Sequence, residues 1–233
     1  MPANDATLYD KWHQNHAVDN DVSTPWYEFA ESHLSEEDID GKDILEIGCG
    51  RGGFSGYFVE RFPLISSYFA CDYSVSAIRI GKAKYGTGKI NWQQENIMNL
   101  SFSENRFDTI ICCETIEHVP YPSQAIKELY RTLKPDGKLI LTCPNYFNLF
   151  GIWCFYRWIL RKPYTEGGQP YVNYILAPRV LWLAKKYGFH RKKFFSRDIT
   201  IPARVPKHIY NSINGTPKWL RIFGNRTGYV LHK

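Results

Sequence analysis

The sequence predicts an α/β domain built on a doubly wound, mostly parallel seven-stranded sheet with helices on both faces. Apolar runs of strand length alternate with helical patterns along most of the chain, which is the arrangement that produces parallel sheets. The first apolar run leads directly into a glycine-rich turn. The run at 107–113 is apolar almost throughout, as expected for a central strand that is covered on both faces.

The first half of the chain gives four strands and three helices. A leading helix over 22–34 has Ser23 or Thr24 as a candidate cap and Pro25 in its first turn. Strand 43–47 is followed by helix 53–62, which Pro63 ends, and strand 67–71 is followed by helix 74–85, which Ser74 opens. The other strands in this half are 90–94 and 107–113.

The second half continues the alternation and then loses it. Helix 123–133 is followed by a predicted turn at 134–137, which reads KPDG, and by a fifth strand at 138–142. The pattern is irregular through 145–176, where we expect a helical and aromatic insert. The remaining predicted elements are helix 178–187 and a closing strand pair, 193–201 and 227–232.

Length and composition indicate one domain with a sizeable core. The chain has 233 residues, of which 44% are hydrophobic and 16% aromatic. We divide this domain, 1–233, into N-terminal lid helices (1–40), a ligand-binding core (41–145), a lid or substrate insert (146–176) and a C-terminal helix with closing strands (177–233). The polar N-terminus and the absence of a long apolar run predict a cytoplasmic protein without a signal peptide or spanning helix.

The cysteines and the charge distribution give two further indications. The six cysteines fall in predicted strands or turns without a C-x-x-C pair, so we expect reduced core thiols rather than a zinc site. Residues 1–156 carry a net charge of −8, whereas residues 157–233 carry +14. This asymmetry is typical either of a solvated basic surface or of a region that faces an anionic partner.

Residues 46–53, which read EIGCGRGG, form the most informative stretch. Glycines allow a sharp turn and let a ligand lie against the backbone, and their spacing alone would also fit a dinucleotide site. A carboxylate at Glu46 would repel a pyrophosphate. It suits S-adenosylmethionine (SAM), which carries a sulfonium and an ammonium group and no phosphate.

Over residues 40–200 the chain resembles the class I SAM-dependent methyltransferases, which have a Rossmann-like fold. The glycine turn is similar to the first motif of that family, and Asp72, at the end of the second strand, occupies the position of a ribose-binding carboxylate. Asn96 stands where the family usually has Asp, and its side-chain oxygen can still accept a hydrogen bond from the adenine amine. The resemblance implies a SAM pocket formed by Glu46, Gly48, Cys49, Gly50, Gly52, Asp72, Tyr73, Asn96, Ile97 and Cys113.

The segment after the fourth strand carries the candidate catalytic residues Glu114, Glu117 and His118 in an E-x-x-E-H pattern. This pattern resembles ubiquinone-pathway O-methyltransferases and small-RNA 2′-O-methyltransferases, in which the three residues would bind a divalent cation such as Mg²⁺. Such an ion would lower the pKa of a substrate hydroxyl. The loop at 166–171 lacks the additional His found in those families, so a second hypothesis makes His118 a general base without metal.

The aromatic insert at 147–162, which reads FNLFGIWCFYRWILRK, has two interpretations. It is too short to span a bilayer. We expect a buried lid over an acceptor pocket, and the alternative is a peripheral membrane contact in which aromatic side chains and arginines meet the headgroups. The resemblance also implies that the segment containing His13 and His16 folds over SAM.

Three functional hypotheses follow. The first is an enzyme that transfers a methyl group from SAM to a hydroxyl of a small or lipid-linked acceptor. The second is an RNA 2′-O-methyltransferase, which the basic C-terminal third would favour. The third is a SAM-binding partner subunit without activity.

Overall fold

A seven-stranded sheet forms the centre of the molecule. The computed structural model describes residues 5–16, 24–86, 88–165, 168–199 and 220–233. The strands are β1 Asp43–Ile47, β2 Ser67–Asp72, β3 Ile90–Gln94, β4 Phe107–Cys113, β5 Leu133–Pro144, β6 Arg191–Ile199 and β7 Gly224–His232. They lie in the order β3-β2-β1-β4-β5-β7-β6. Strand β7 runs opposite to the other six, so it is antiparallel to both β5 and β6. The predicted fold class is confirmed.

Helices cover both faces of this sheet. They are α1 Ala6–Asn15, α2 Pro25–Ser32, α3 Gly53–Arg61, α4 Val75–Tyr85, α5 Pro122–Thr132, α6 Leu149–Ile159 and α7 Ala177–Tyr187. One buried cluster joins α5 and α7 to one face of the sheet, and a second joins α2 and α3 to the other. Neighbouring residues of β1 divide between them, since Ile44 belongs to the second cluster and Leu45 to the first. This alternation is the two-residue period of a strand that is buried on both faces.

The predicted elements are confirmed along most of the chain. Three strands have the predicted bounds, and most helices differ by one or two residues, which is the usual uncertainty at helix ends. Thr24 is the N-cap of α2, whereas Ser23 and Val22 lie outside the described residues. The end of the predicted strand at 200–201 also lies outside them.

The turn predicted at 134–137 is wrong, because β5 already begins at Leu133. Leu133 pairs with Phe107, and the register then shifts before Thr109 pairs with Lys138. Asp136 has φ +60° at this irregularity. The KPDG residues therefore bend a continuous strand at a bulge instead of closing a separate turn.

The buried lid predicted for the aromatic insert is also wrong. Of helix α6, only Gly151 and Cys154 are buried, and large apolar side chains such as Ile152 (66% exposed) and Trp158 (53% exposed) face solvent. A Cβ at Gly151 would overlap the carbonyl oxygen of Tyr146, so the helix packs closely along a narrow strip of small residues. The wide aromatic face consequently points away from the core.

All six cysteines are free and buried. Burial raises the pKa of the thiols of Cys49, Cys71, Cys112, Cys113 and Cys143 well above the usual range. The expectation of core cysteines is confirmed. Among the described residues, no helix has the length and apolar character needed to cross a bilayer.

Candidate functional site

The main cavity lies at the carboxyl ends of the central strands. The chain order reverses between β1 and β4, so the loops that follow these two strands diverge and leave a crevice, which is where ligands bind in doubly wound sheets. The cavity has a volume of about 340 Å³. The side chains and backbone of β1, β2, β4 and the loops after them form its floor.

The glycine turn forms one wall through Gly48 and Gly50. Gly48 has φ +82°, and a Cβ there would overlap the side chain of Thr115, so only glycine fits. The amide groups of Gly48 and Cys49 donate to the carbonyl oxygen of Cys71 at 2.8 and 3.0 Å. This pairing continues the β1–β2 ladder into the turn and holds its backbone against the cavity.

Three residues predicted to contact the cofactor lie beneath this wall and do not line the cavity: Glu46, Cys49 and Gly52. Glu46 is 2% exposed and accepts hydrogen bonds from the hydroxyls of Ser55 and Tyr68. Burial raises the pKa of Glu46 to about 7, against the lowering effect of those two bonds. The carboxylate therefore braces the start of α3 from inside the protein, whereas the sequence predicts it beside the ligand.

Asp72 and Tyr73, which follow from β2, do line the cavity. The two oxygens of Asp72 accept hydrogen bonds from the amides of Gly50 (2.9 Å) and Ser74 (2.8 Å). These bonds tie the carboxylate to the glycine turn and to the N-terminus of α4. A carboxylate has about four lone-pair sites, so its oxygens can accept further hydrogen bonds from a ligand.

The next wall comes from the segment after β3, where Asn96 and Ile97 line the cavity as predicted. The Asn96 side-chain oxygen accepts a bond from the amide of Met98 at 2.9 Å, so the oxygen expected to meet adenine already has a partner. The neighbouring Glu95, which is not among the residues predicted from the sequence, also lines the cavity. Its oxygens accept from the amide (3.0 Å) and the hydroxyl of Ser101.

Glu114, Glu117 and His118 lie at the same mouth, together with Cys113. Glu117 is fully buried, and its Oε1 lies 3.6 Å from His118 Nε2. His118 Nδ1 lies 2.8 Å from the carbonyl oxygen of Tyr171. Because a carbonyl only accepts, Nδ1 carries the proton in this arrangement, and Nε2 is the unprotonated nitrogen of the neutral ring.

The three predicted metal ligands line the same cavity, but among the described residues they do not form a metal-binding group. Glu114, which has φ +48° at the end of β4, directs its carboxylate to the guanidinium of Arg226. Among the residues that the structure describes, no group of three His, Cys, Asp or Glu side chains is arranged to hold a metal ion. The cation-binding hypothesis therefore lacks a ligand set here, because an arginine occupies the carboxylate of one of its members.

Helix α1 closes the cavity from the outside through Tyr9, Trp12 and His13. Asp10 accepts from the hydroxyl of Ser74 (2.6 Å) and the amide of Ser76 (2.9 Å), which fixes α1 on α4. The Tyr9 hydroxyl donates to the carbonyl oxygen of His118 at 2.9 Å. The resemblance implies that the segment containing His13 folds over the ligand, whereas no local pattern in the sequence indicates the contacts of Tyr9 and Trp12, because their partners are distant in sequence.

A second cavity of about 260 Å³ adjoins the first, and Trp26, Glu114 and Arg226 line both. Its other walls come from α2 and from the β6–β7 pair. Phe29 packs against Phe195 with ring centres 5.4 Å apart and covers Gly228. No local pattern in the sequence predicts this cavity, because its walls come from segments that are distant in sequence.

Comparison with known proteins relates the chain to methyltransferases. Residues 45–141 match the family described as Methyltransferase domain. The ubiquinone biosynthesis O-methyltransferase of Coxiella burnetii is 35% identical over 109 residues, 46% of this chain and 45% of that protein. The enzyme of the same description from Idiomarina loihiensis is 30% identical over 118 residues, 50% of this chain and 47% of that protein. The chain thus spans about half the length of the curated relatives it matches.

Solved structures extend the likeness to nearly the whole chain at the level of fold. An S-adenosylmethionine-dependent methyltransferase from Mesorhizobium loti matches with a TM-score of 0.65 at 12% identity, covering 91% of this chain and 99% of that one. A SAM-dependent methyltransferase from Thermotoga maritima, described as a possible histamine N-methyltransferase, matches with a TM-score of 0.62 at 18% identity, covering 97% and 95%. The fold is that of the class I methyltransferases, and the acceptor is left open by these matches.

Proposed function

We propose that this chain, whose fold and central sequence are those of SAM-dependent methyltransferases, is itself such an enzyme (EC 2.1.1.-) and transfers a methyl group to a hydroxyl of a small or lipid-linked acceptor. The observation that carries the proposal is the charge of the main cavity. Its described lining includes one guanidinium, that of Arg226, and four carboxylates, those of Asp72, Glu95, Glu114 and Glu117. An acidic cavity of this kind favours a ligand with sulfonium and ammonium groups over a phosphate ester.

The residues present fit SAM. The bare backbone at Gly48 and Gly50 allows close approach of a ligand. Asp72 would accept hydrogen bonds from the ribose hydroxyls, as in other dinucleotide and nucleoside folds. Tyr73, Ile97 and Asn96 would surround the adenine. When bound, SAM would supply an electrophilic methyl group that needs only a well-aligned nucleophile.

His118 is the proposed general base, with Glu117 beside it. Its Nδ1–H is directed to the Tyr171 carbonyl, so the ring is held in one tautomer with Nε2 able to take a proton from the accepting hydroxyl. An ionised Glu117 carboxylate 3.6 Å from Nε2 would favour the protonated ring after the transfer. Alignment of the nucleophile accounts for most of the rate enhancement in such reactions, so this base makes a secondary contribution.

The test is product formation from deuteromethyl-labelled SAM in cell extract, followed by mass spectrometry for the labelled acceptor. We expect stoichiometric binding of the demethylated cofactor S-adenosylhomocysteine (SAH) by calorimetry and at least one labelled product. His118→Ala should lower turnover by about 10²-fold or more with unchanged SAH affinity. His190→Ala, which removes an exposed histidine away from both cavities, is the matched control. Absence of SAH binding would contradict the proposal.

The partner proposed for the exposed face of α6 is an anionic bilayer, and a bilayer is where a lipid-linked acceptor would reside. The aromatic face lies next to Arg157, Arg161 and Lys162 at one end of the helix. Aromatic and basic side chains in this arrangement suit the headgroup region of a membrane.

Flotation with vesicles tests this contact. Vesicles containing phosphatidylglycerol should retain the protein, whereas pure phosphatidylcholine vesicles should retain less. Ile152→Asp should release it, and Leu64→Asp, at an equally exposed leucine (66%) outside the insert, should not. Equal loss in both variants, or a concentration-dependent dimer in place of vesicle binding, would contradict this proposal.

A further inference from the structure

We propose that the second cavity binds the methyl acceptor through an anionic group, a carboxylate or a phosphate, held by Arg197 and Arg226. This inference rests on the proposed function and names the substrate class of its acceptor site. Both arginines line the cavity. Guanidinium groups bind carboxylates and phosphates through paired, charge-assisted hydrogen bonds.

The register of the sheet brings the two arginines together. Arg197 of β6 and Arg226 of β7 are direct partners in the antiparallel ladder, so their side chains leave the same face of the sheet. Like charges in directly opposed positions destabilise a sheet. Glu114 offsets part of this repulsion through its ion pair with Arg226, and an anion in the cavity would offset more of it.

The remaining walls make these charges effective. Aromatic side chains of Trp26, Phe29 and Phe195 enclose the cavity, and the Arg226 guanidinium lies 5.0 Å from the centre of the Trp26 ring. Apolar walls strengthen a hydrogen-bonded ion contact, because they reduce the screening by water.

The cavity also contains two acidic side chains, with which an anion would compete for the guanidinium groups. Glu114 pairs with Arg226, and Glu28 is exposed at the α2 side. A guanidinium has five N–H donors, so Arg226 can hold Glu114 and an acceptor oxygen at the same time. Glu114 then fixes the guanidinium between the two cavities.

The shared wall places the acceptor for reaction. Trp26, Glu114 and Arg226 border both cavities, so an anion held by Arg226 would lie beside the main cavity, and we place the acceptor hydroxyl in that cavity. His118 lines that main cavity. The basic residues of the C-terminal third, unexplained by the cofactor site, would in this way contribute two cations to acceptor binding.

The experiment measures binding of benzoate, phenyl phosphate and the neutral benzamide to the SAH-saturated protein by calorimetry. At least one anion should bind about tenfold or more tightly than benzamide. Arg197→Gln, which changes a residue that lines only the second cavity, should remove this preference and leave SAH affinity unchanged. Arg226→Lys should also weaken binding of the anion, because lysine lacks the paired N–H donors of a guanidinium group. Lys193→Gln, an exposed charge change on the same strand, is the control.

Each outcome decides the inference. Equal binding of benzamide and both anions, failure of all three to bind, or an anion preference that survives Arg197→Gln would overturn it. In the labelled cell extract, the product should be retained on an anion exchanger, and a neutral labelled product would also overturn it. A labelled neutral product would contradict only the acceptor proposal and leave the methyltransferase proposal intact. Absence of SAH binding would contradict the cofactor proposal.

Discussion

Replacement of Glu46 by glutamine should change how the stability of the protein depends on pH. Glu46 is buried under the glycine turn, and its pKa is raised from 4.5 to about 7. A shift of this size corresponds to about 3 kcal/mol of preference for the protonated form in the folded state. Because the folded protein holds this proton more tightly than the unfolded chain, the wild type should lose that stability as the pH rises from 4.5 to 7.

The variant Glu46→Gln cannot ionise at this position, so it lacks this loss. The amide introduces an N–H beside the position of Oε1, which has no partner among the described residues, at a cost of about 1–3 kcal/mol that is independent of pH. The free energy of unfolding of the variant relative to the wild type should therefore rise with pH, by up to about 3 kcal/mol. Other titrating groups cancel in this difference.

The measurement is urea unfolding of both proteins at a series of pH values across this window. The prediction concerns how the difference in free energy of unfolding between variant and wild type changes with pH. The size of that difference at any single pH does not test it. A difference that stays constant would show that Glu46 does not titrate there. A difference that falls with rising pH would show that the hydrogen bonds from Ser55 and Tyr68 outweigh burial, and would refute the reasoning.

Three other predictions concern the site. Gly48→Ala should abolish SAH binding by calorimetry, because the added Cβ overlaps Thr115, whereas Gly88→Ala has open space and should bind normally. Asp72→Asn should weaken SAH binding by about 1–3 kcal/mol through loss of a charged acceptor; unchanged affinity would show that the ribose contact is misassigned. Turnover should persist in EDTA because Arg226 occupies the Glu114 carboxylate, and loss of activity that Mg²⁺ restores would reinstate the metal hypothesis.

The sheet could be predicted well from the sequence, because buried parallel strands are short apolar runs bounded by turn residues. The predicted strand at 107–113 has its observed bounds, because nearly every residue in it is buried and the apolar run therefore coincides with the strand. The bulge at Leu133 could not be predicted, since KPDG has turn chemistry and only pairing with Phe107 and Lys233 shows it to be part of a strand. The exposure of α6 was missed because composition alone does not distinguish a core helix from an unpartnered one.

Some residues of the candidate site could likewise be predicted from the sequence, and others could not. Gly48, Asp72 and His118 stand in local motifs at strand ends, and all three line the main cavity. Arg226 lies more than a hundred residues from Glu114 in sequence, so no short sequence motif could predict their ion pair. Glu46 is the converse case, because its motif position predicts contact with the ligand, whereas the carboxylate accepts a hydrogen bond from Ser55 of α3.

The burial of the native thiols makes this protein a convenient subject for site-directed labelling. All six are buried, and Cys113 also lines the main cavity, so a maleimide dye should react only slowly with the folded wild type. A cysteine introduced on the outward face of α6, as in Ile152→Cys, would then take up the dye much faster than the native thiols. The emission of an environment-sensitive fluorophore at that position would report directly on contact with lipid, without removal of any native cysteine.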